Sequence, residues 1–190
     1  MTKQLLIIFL ILTLCSCNQS EINPSESNPN SSGSKEMNIA QSMPNEMPNE
    51  MTDDFGFSIR FGVGKRNEIN TFEGIVTKDL LTAGAITAKI TLTEKELEEI
   101  YEKMEEINIV ETKKLIPSHL NESICVQEPY EEDEWKIIIN GETFTQSVSG
   151  TYCEPTMDAK QLLKIRNYVF NIIKSKDAYK ELPESEGAYQ

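Results

Sequence analysis

Asn140-Gly141 stands between two short runs of alternating character, Trp135 to Ile139 and Thr143 to Val148. Asn-Gly is the dipeptide that best supplies the two positive φ angles of a two-residue type I′ turn, whose twist matches that of the strands it joins. The two runs therefore read as a β-hairpin, and the loop length sets their register, with Ile137 facing Phe144 and Ile139 facing Glu142. Trp135, Ile137, Ile139, Phe144 and Val148 then share one face, which must be covered by another layer.

The preceding sequence supplies partners for that hairpin. Phe55 to Gly64 alternates large apolar residues with Gly, Ser and Arg, the period of a strand with one buried face. Lys65-Arg66-Asn67-Glu68 reads as a turn, Thr71 to Thr77 as a return strand using Phe72 and Val76, and Ile86, Ala88, Ile90 and Leu92 as a third strand. Thr93 and Glu96 have the spacing of a capping box, with Leu92 and Leu97 as its hydrophobic staple, so a helix starts there. Leu97, Ile100, Tyr101, Met104 and Ile107 form its buried stripe.

Val110 to Asp133 lacks periodicity, contains Pro117 and Pro129, and is expected to be a long loop. Thr156 or Asp158 can cap a second helix running to about Lys174, with Leu162, Ile165, Val169, Ile172 and Ile173 inward. The order is three strands, a helix, a long loop, two strands and a helix. It predicts an α+β fold: an antiparallel sheet of about five strands with two helices packed on one face.

The first third of the chain is different. Leu5 to Leu14 is an uncharged apolar run behind Lys3, as in a secretory leader, and is shorter than the roughly 20 residues needed to span a bilayer. From Asn18 to Asp53 the chain is built of Asn, Ser, Pro, Glu and Met, and Met43-Pro44-Asn45-Glu46 is repeated at once as Met47-Pro48-Asn49-Glu50. Such a composition lacks the apolar surface to order itself and is expected to act as a spacer with a reach of about 35 Å. The methionine repeat could alternatively bind a metal, but it lacks the close spacing or accompanying histidines of such sites.

Leu14-Cys15-Ser16-Cys17, following that apolar run, resembles the lipobox of bacterial lipoproteins. The resemblance implies cleavage before Cys17, transfer of a diacylglycerol to its thiol and, with it, anchorage to the outer face of the cell membrane. Cys15 is a poorer acceptor because Leu14 would then occupy the small-residue position before the cut. The expected organisation is a leader at 1–16, a lipidated cysteine and tether at 17–53, an extracytoplasmic domain at 54–183, and a surface tail at 184–190. A soluble secreted form is the alternative. Asn70-Thr71-Phe72-Glu73-Gly74, Thr77-Lys78-Asp79 and Tyr179-Lys180-Glu181-Leu182-Pro183 further resemble uncharacterised small lipoproteins of Gram-positive bacilli, a set from which no activity transfers.

Of the four cysteines, one would leave with the leader and one would be acylated. Cys125 and Cys153 remain, flanking the predicted hairpin, and are expected to pair in an oxidising compartment or else to persist as partly buried thiols. The net charge of −13 becomes −14 once Lys3 is removed (−13 − 1). So acidic a chain is poorly suited to nucleic acid or to anionic headgroups.

No motif identifies a reaction. Gly62-Val63-Gly64-Lys65 lacks the spacing of a phosphate loop, and no Gly-x-Ser-x-Gly elbow is present. His119 is the one histidine, so zinc sites of ordinary composition have no ligand set and any triad would hang on that residue alone. No catalytic residue, cofactor or metal is nominated. The densest cluster, Glu128 with Glu131-Glu132-Asp133-Glu134, brackets Tyr130 and runs into Trp135, without the ligand alternation or glycine of a calcium loop.

The sequence therefore favours a binding module. Its expected contact is the stapled loop, through Tyr130, Glu131, Glu132, Asp133 and Trp135, and a basic envelope protein is the complementary partner. A receptor for a small ligand or wall fragment is the second reading, and an envelope enzyme the third.

Overall fold

In a computed structural model of the protein, residues 46–118 and 125–189 are described. The leader, Cys17, most of the tether and His119 lie outside them. The fold is α+β. A six-stranded antiparallel sheet runs in the order β4-β3-β2-β1-β5-β6, with β1 Gly56–Gly62, β2 Asn67–Asn70, β3 Ile75–Asp79, β4 Ala85–Lys89, β5 Glu132–Ile139 and β6 Glu142–Ser149. The helices are α1 Glu94–Glu106, α2 Met157–Ser175 and the short α3 Asp177–Lys180.

Alternation sets the core. Phe57, Ile59 and Phe61 of β1 point the same way as Ile69, Val76, Trp135, Ile137 and Ile139, all buried. Ile100, Tyr101 and Met104 of α1 and Leu162, Ile165, Val169 and Ile173 of α2 join the same cluster, so both long helices cover one face. The helices are tied to each other by Lys176 to Glu96 at 2.6 Å and by the Tyr168 hydroxyl donating to Glu99 at 2.8 Å. The capping box on α1 is formed, and Thr156 is the residue that caps α2, accepting from the Ala159 amide.

The expected single return strand is two strands. Lys65 lies in a short 3-10 turn, Val63–Lys65, and pairing resumes at Asn67. After Asn70 the chain turns: the Asn70 side chain accepts from the Glu73 amide at 3.1 Å, and Gly74 supplies a φ of 63°. Phe72 therefore does not enter the core. It is 41% exposed and lies against Gly56, where an added Cβ would come within 2.7 Å of its ring.

The packed domain also begins earlier than residue 54. Met47 is buried at 4% exposure, its amide donates to Asn108 Oδ1 at 3.0 Å, and the Tyr101 hydroxyl donates to the Pro48 carbonyl at 2.7 Å. The second copy of the repeated tetrapeptide is thus part of the folded body. At the other end the tail is strapped to the end of β3. Ser185 Oγ donates to the Asp79 carbonyl, the Tyr189 hydroxyl donates to Asp79 Oδ2, and burial followed by that bond pushes the Tyr189 phenol up to about 12.

Candidate functional site

The long connection between α1 and β5 is anchored at both ends. Asn108 ends α1 with a φ of 44°, and the Asn108 and Ile109 amides return to the Glu105 and Met104 carbonyls at 2.7 and 2.9 Å. This is the paired closure of a Schellman motif, with Ile109 and Met104 packed behind it in the core. Gln146 Nε2 of β6 then donates to the carbonyls of Ile109 and Glu111 at 3.0 and 3.1 Å. The Lys114 amide donates to Asp158 Oδ2 in the first turn of α2 at 2.6 Å. These bonds hold residues 109–114 against the β6 edge of the sheet and the start of α2.

Beyond them the chain parts from α2 and leaves an open groove of about 780 Å³ between residues 113–118 and the start of that helix. Its lips are apolar: Ile116 is 64% exposed and Met157 72%, with Leu115 and Pro117 between and Glu154 and Asp158 on the rim. Four large hydrophobics are exposed among the described residues, and these two line the same groove.

The far end of the connection is stapled. Cys125 and Cys153 are bonded, with Cα atoms 5.5 Å apart, and the Cys153 and Gln127 amides donate to the Cys125 and Thr151 carbonyls. The hairpin thus continues past its named strands to the disulfide, with residues 128–130 looping outward between Gln127 and Glu131. Tyr130 and Glu132, with Val63 and Pro129, line a second open pocket of about 470 Å³.

The expected contact residues are divided by the strand. Because β5 starts at Glu132, alternation sends Asp133 and Trp135 inward, where they are 1% and 0% exposed. Asp133 is held by Arg166, whose Nε is 3.1 Å away and whose other arm reaches Glu131 at 3.0 Å. The guanidinium lies 5.1 Å from the Phe61 ring centre. Neither Asp133 nor Trp135 can touch a partner. Tyr130, Glu131 and Glu132 remain near the surface, and Glu134, on the open face, is engaged by Lys65 at 2.8 Å. Ile116 and Met157 were not singled out in the sequence. The only signal was their type, two large apolar residues beside Pro117 and the Thr156 cap.

Among the described residues no three His, Cys, Asp or Glu side chains are grouped to hold a metal ion, and no helix is long and apolar enough to cross a membrane. No family model, curated protein or solved structure matches the chain.

Proposed function

We propose that this protein is a binding module, held at the outer face of a membrane by a lipid on Cys17, that grips a partner segment in the groove between residues 113–118 and α2. The observation that carries the reading is the exposure of Ile116 and Met157 on one groove. Large apolar side chains gathered on a surface mark interaction sites far more often than the same side chains scattered singly. The groove is wide open, which suits an extended polypeptide with one or two apolar anchors.

The acidic surface and the carboxylates of Glu154 and Asp158 on the rim favour a basic partner. Lipid anchorage and leader removal rest on the resemblance of residues 5–17 to a lipobox-bearing leader. A small-ligand receptor is the second reading, supported by a volume within the usual range of ligand sites.

Photo-cross-linking from Lys114 on native membranes tests the proposal, comparing wild type with Ile116→Asp combined with Met157→Asp. A partner that is cross-linked by wild type and lost from the folded variant supports it, and equal recovery from both overturns it. A Cys17→Ser chain that stays membrane-bound would overturn the anchorage.

A further inference from the structure

β6 is an edge strand: among the described residues β5 is the one strand it pairs with. Ile139 and Glu142 close the two-residue turn as a bonded pair, and bonding alternates from there. Glu142, Phe144, Gln146 and Val148 direct their backbone groups toward β5, and the Gly150 amide continues the parity by donating to Glu131 O at 2.7 Å. Thr143, Thr145, Ser147 and Ser149 turn theirs outward. No hydrogen bond engages the outward backbone groups of Thr143, Thr145 or Ser147 among the described residues.

Folded proteins guard such edges with lysine, proline, bulges or brevity. The opposite edge, β4, is short and ends in Lys89. β6 lacks those four devices: it is eight residues long, its register runs unbroken, it holds no Lys or Pro, and its one charge is Glu142 at the turn; residues 109–111 are tied to it through the Gln146 side chain and leave Thr143, Thr145 and Ser147 exposed. In a chain of net charge −13 this is a nearly neutral ribbon, along which a second acidic molecule can approach.

We propose that β6 pairs with β6 of a second copy, antiparallel about a twofold axis perpendicular to the sheet, giving one continuous sheet of twelve strands from two copies of the six-stranded one. Facing residues must lie on the same side of the sheet, and outward-bonding residues must meet outward-bonding residues. These conditions put the axis through a residue, and the two residues nearest the middle of β6 are Thr145 and Gln146. An axis at Thr145 sets Phe144 against Gln146 and leaves Ser149 opposite the turn. An axis at Gln146 matches all four outward residues, Thr143 with Ser149 and Thr145 with Ser147 of the second copy, and sets Phe144 against Val148. It also places the two Glu142 carboxylates at opposite ends of the ladder. The Gln146-centred register is therefore the one assigned; it rests on the backbone of the sheet edge, and at Ser147 it borders the groove, which that residue also lines.

Sedimentation of the full chain in detergent over a concentration series tests it, with Thr145→Pro as the variant. Proline at an outward-facing edge position leaves the β5 pairing intact, and a melting curve checks that the variant is folded. The expected result is a dimer whose dissociation constant rises about thirtyfold in the variant, the worth of the two amide bonds lost across the axis. A second measurement mixes Thr145→Cys with Ser147→Cys copies, which should form a mixed disulfide on oxidation while neither forms one with itself. A wild type that stays monomeric at every concentration, or a dimer indifferent to Thr145→Pro, overturns the proposal; self-linking of Thr145→Cys overturns the register.

Discussion

Arg166 of α2 and Asp133 of β5 form an ion pair whose carboxylate is almost wholly withdrawn from water, with Nε 3.1 Å from Oδ2 and Asp133 1% exposed. Burial pushes the Asp133 carboxyl from 3.8 up to about 6, and Arg166 offsets only part of that rise. Between those values the folded protein holds a proton that the unfolded chain has released. The stability this group confers is therefore complete below its unfolded pKa and is lost as pH rises through about 6. The loss amounts to about 3 kcal/mol, at about 1.4 kcal/mol for each pKa unit. Urea unfolding at pH 5 and pH 7 should show wild type gaining on Asp133→Asn as pH falls. A constant difference between the two proteins would mean that the carboxyl is not perturbed.

The same pair predicts the behaviour of Arg166→Met. Removing the guanidinium strands a buried carboxylate, which typically destabilises by about 3 to 5 kcal/mol. That loss should be smaller at pH 5, where Asp133 can take up a proton, than at pH 7. Denaturant midpoints at the two values check it, and equal losses would assign the effect to packing against Phe61.

Asp54 acts on the hairpin from outside it. Its two carboxylate oxygens accept from the Asn140 and Gly141 amides at 3.0 and 2.5 Å, closing the turn that the Asn-Gly pair begins. The Thr52 hydroxyl and then the Gly141 amide lead in holding this carboxyl below its usual value. Its contribution is therefore present above the unfolded pKa and lost as pH falls through the lower folded one, opposite in sign to that of Asp133. Asp54→Asn should lower the melting temperature at neutral pH and lose most of that effect in strong acid, as a thermal series from pH 7 to pH 2 would show.

Where local chemistry decides, the chain was legible. Asn140-Gly141 and the Thr93/Glu96 box are each satisfied within a few residues, and hairpin and helix stand where they point. The strand break after Asn70 is hidden in the sequence because it depends on a side chain accepting the Glu73 amide and on Gly74, signals easily overridden by Phe72 and Val76 in an alternating frame. Asp133 escapes the pattern because Glu131-Glu132-Asp133-Glu134 has no apolar alternation to mark where the strand starts, whereas Trp135 already stands on the inward face of the hairpin register, which conflicts with its reading as a contact. Counting back two residues from the inward Trp135 turns Asp133 inward as well. The groove was not legible, since Ile116 and Met157 are brought together only by tertiary ties such as Lys114 to Asp158.

Met47 shows how weak composition is as a guide to where a domain begins. One side chain, its amide and the next carbonyl are each satisfied by α1 or its cap. Met47→Ala should destabilise by about 2 to 5 kcal/mol, as buried Met→Ala changes do. Chains starting at Glu46 should match full-length stability and chains starting at Asp54 should not, measured by urea unfolding.

The Cys125–Cys153 bond closes a loop between positions 28 apart, a length for which chain entropy gives about 3 to 4 kcal/mol. Both cysteines lie beyond the named ends of β5 and β6, and the core residues Trp135, Ile137 and Val148 do not depend on them. The double change Cys125→Ser with Cys153→Ser should therefore lower the melting temperature while leaving the sheet and the Trp135 environment intact. Hydrogen exchange should rise first at residues 125–131 and 150–153, and intrinsic fluorescence should keep its emission maximum. A red shift would show that the staple holds the core as well as the loop, and would place residues 128–130 among the structural elements of the domain instead of its free surface.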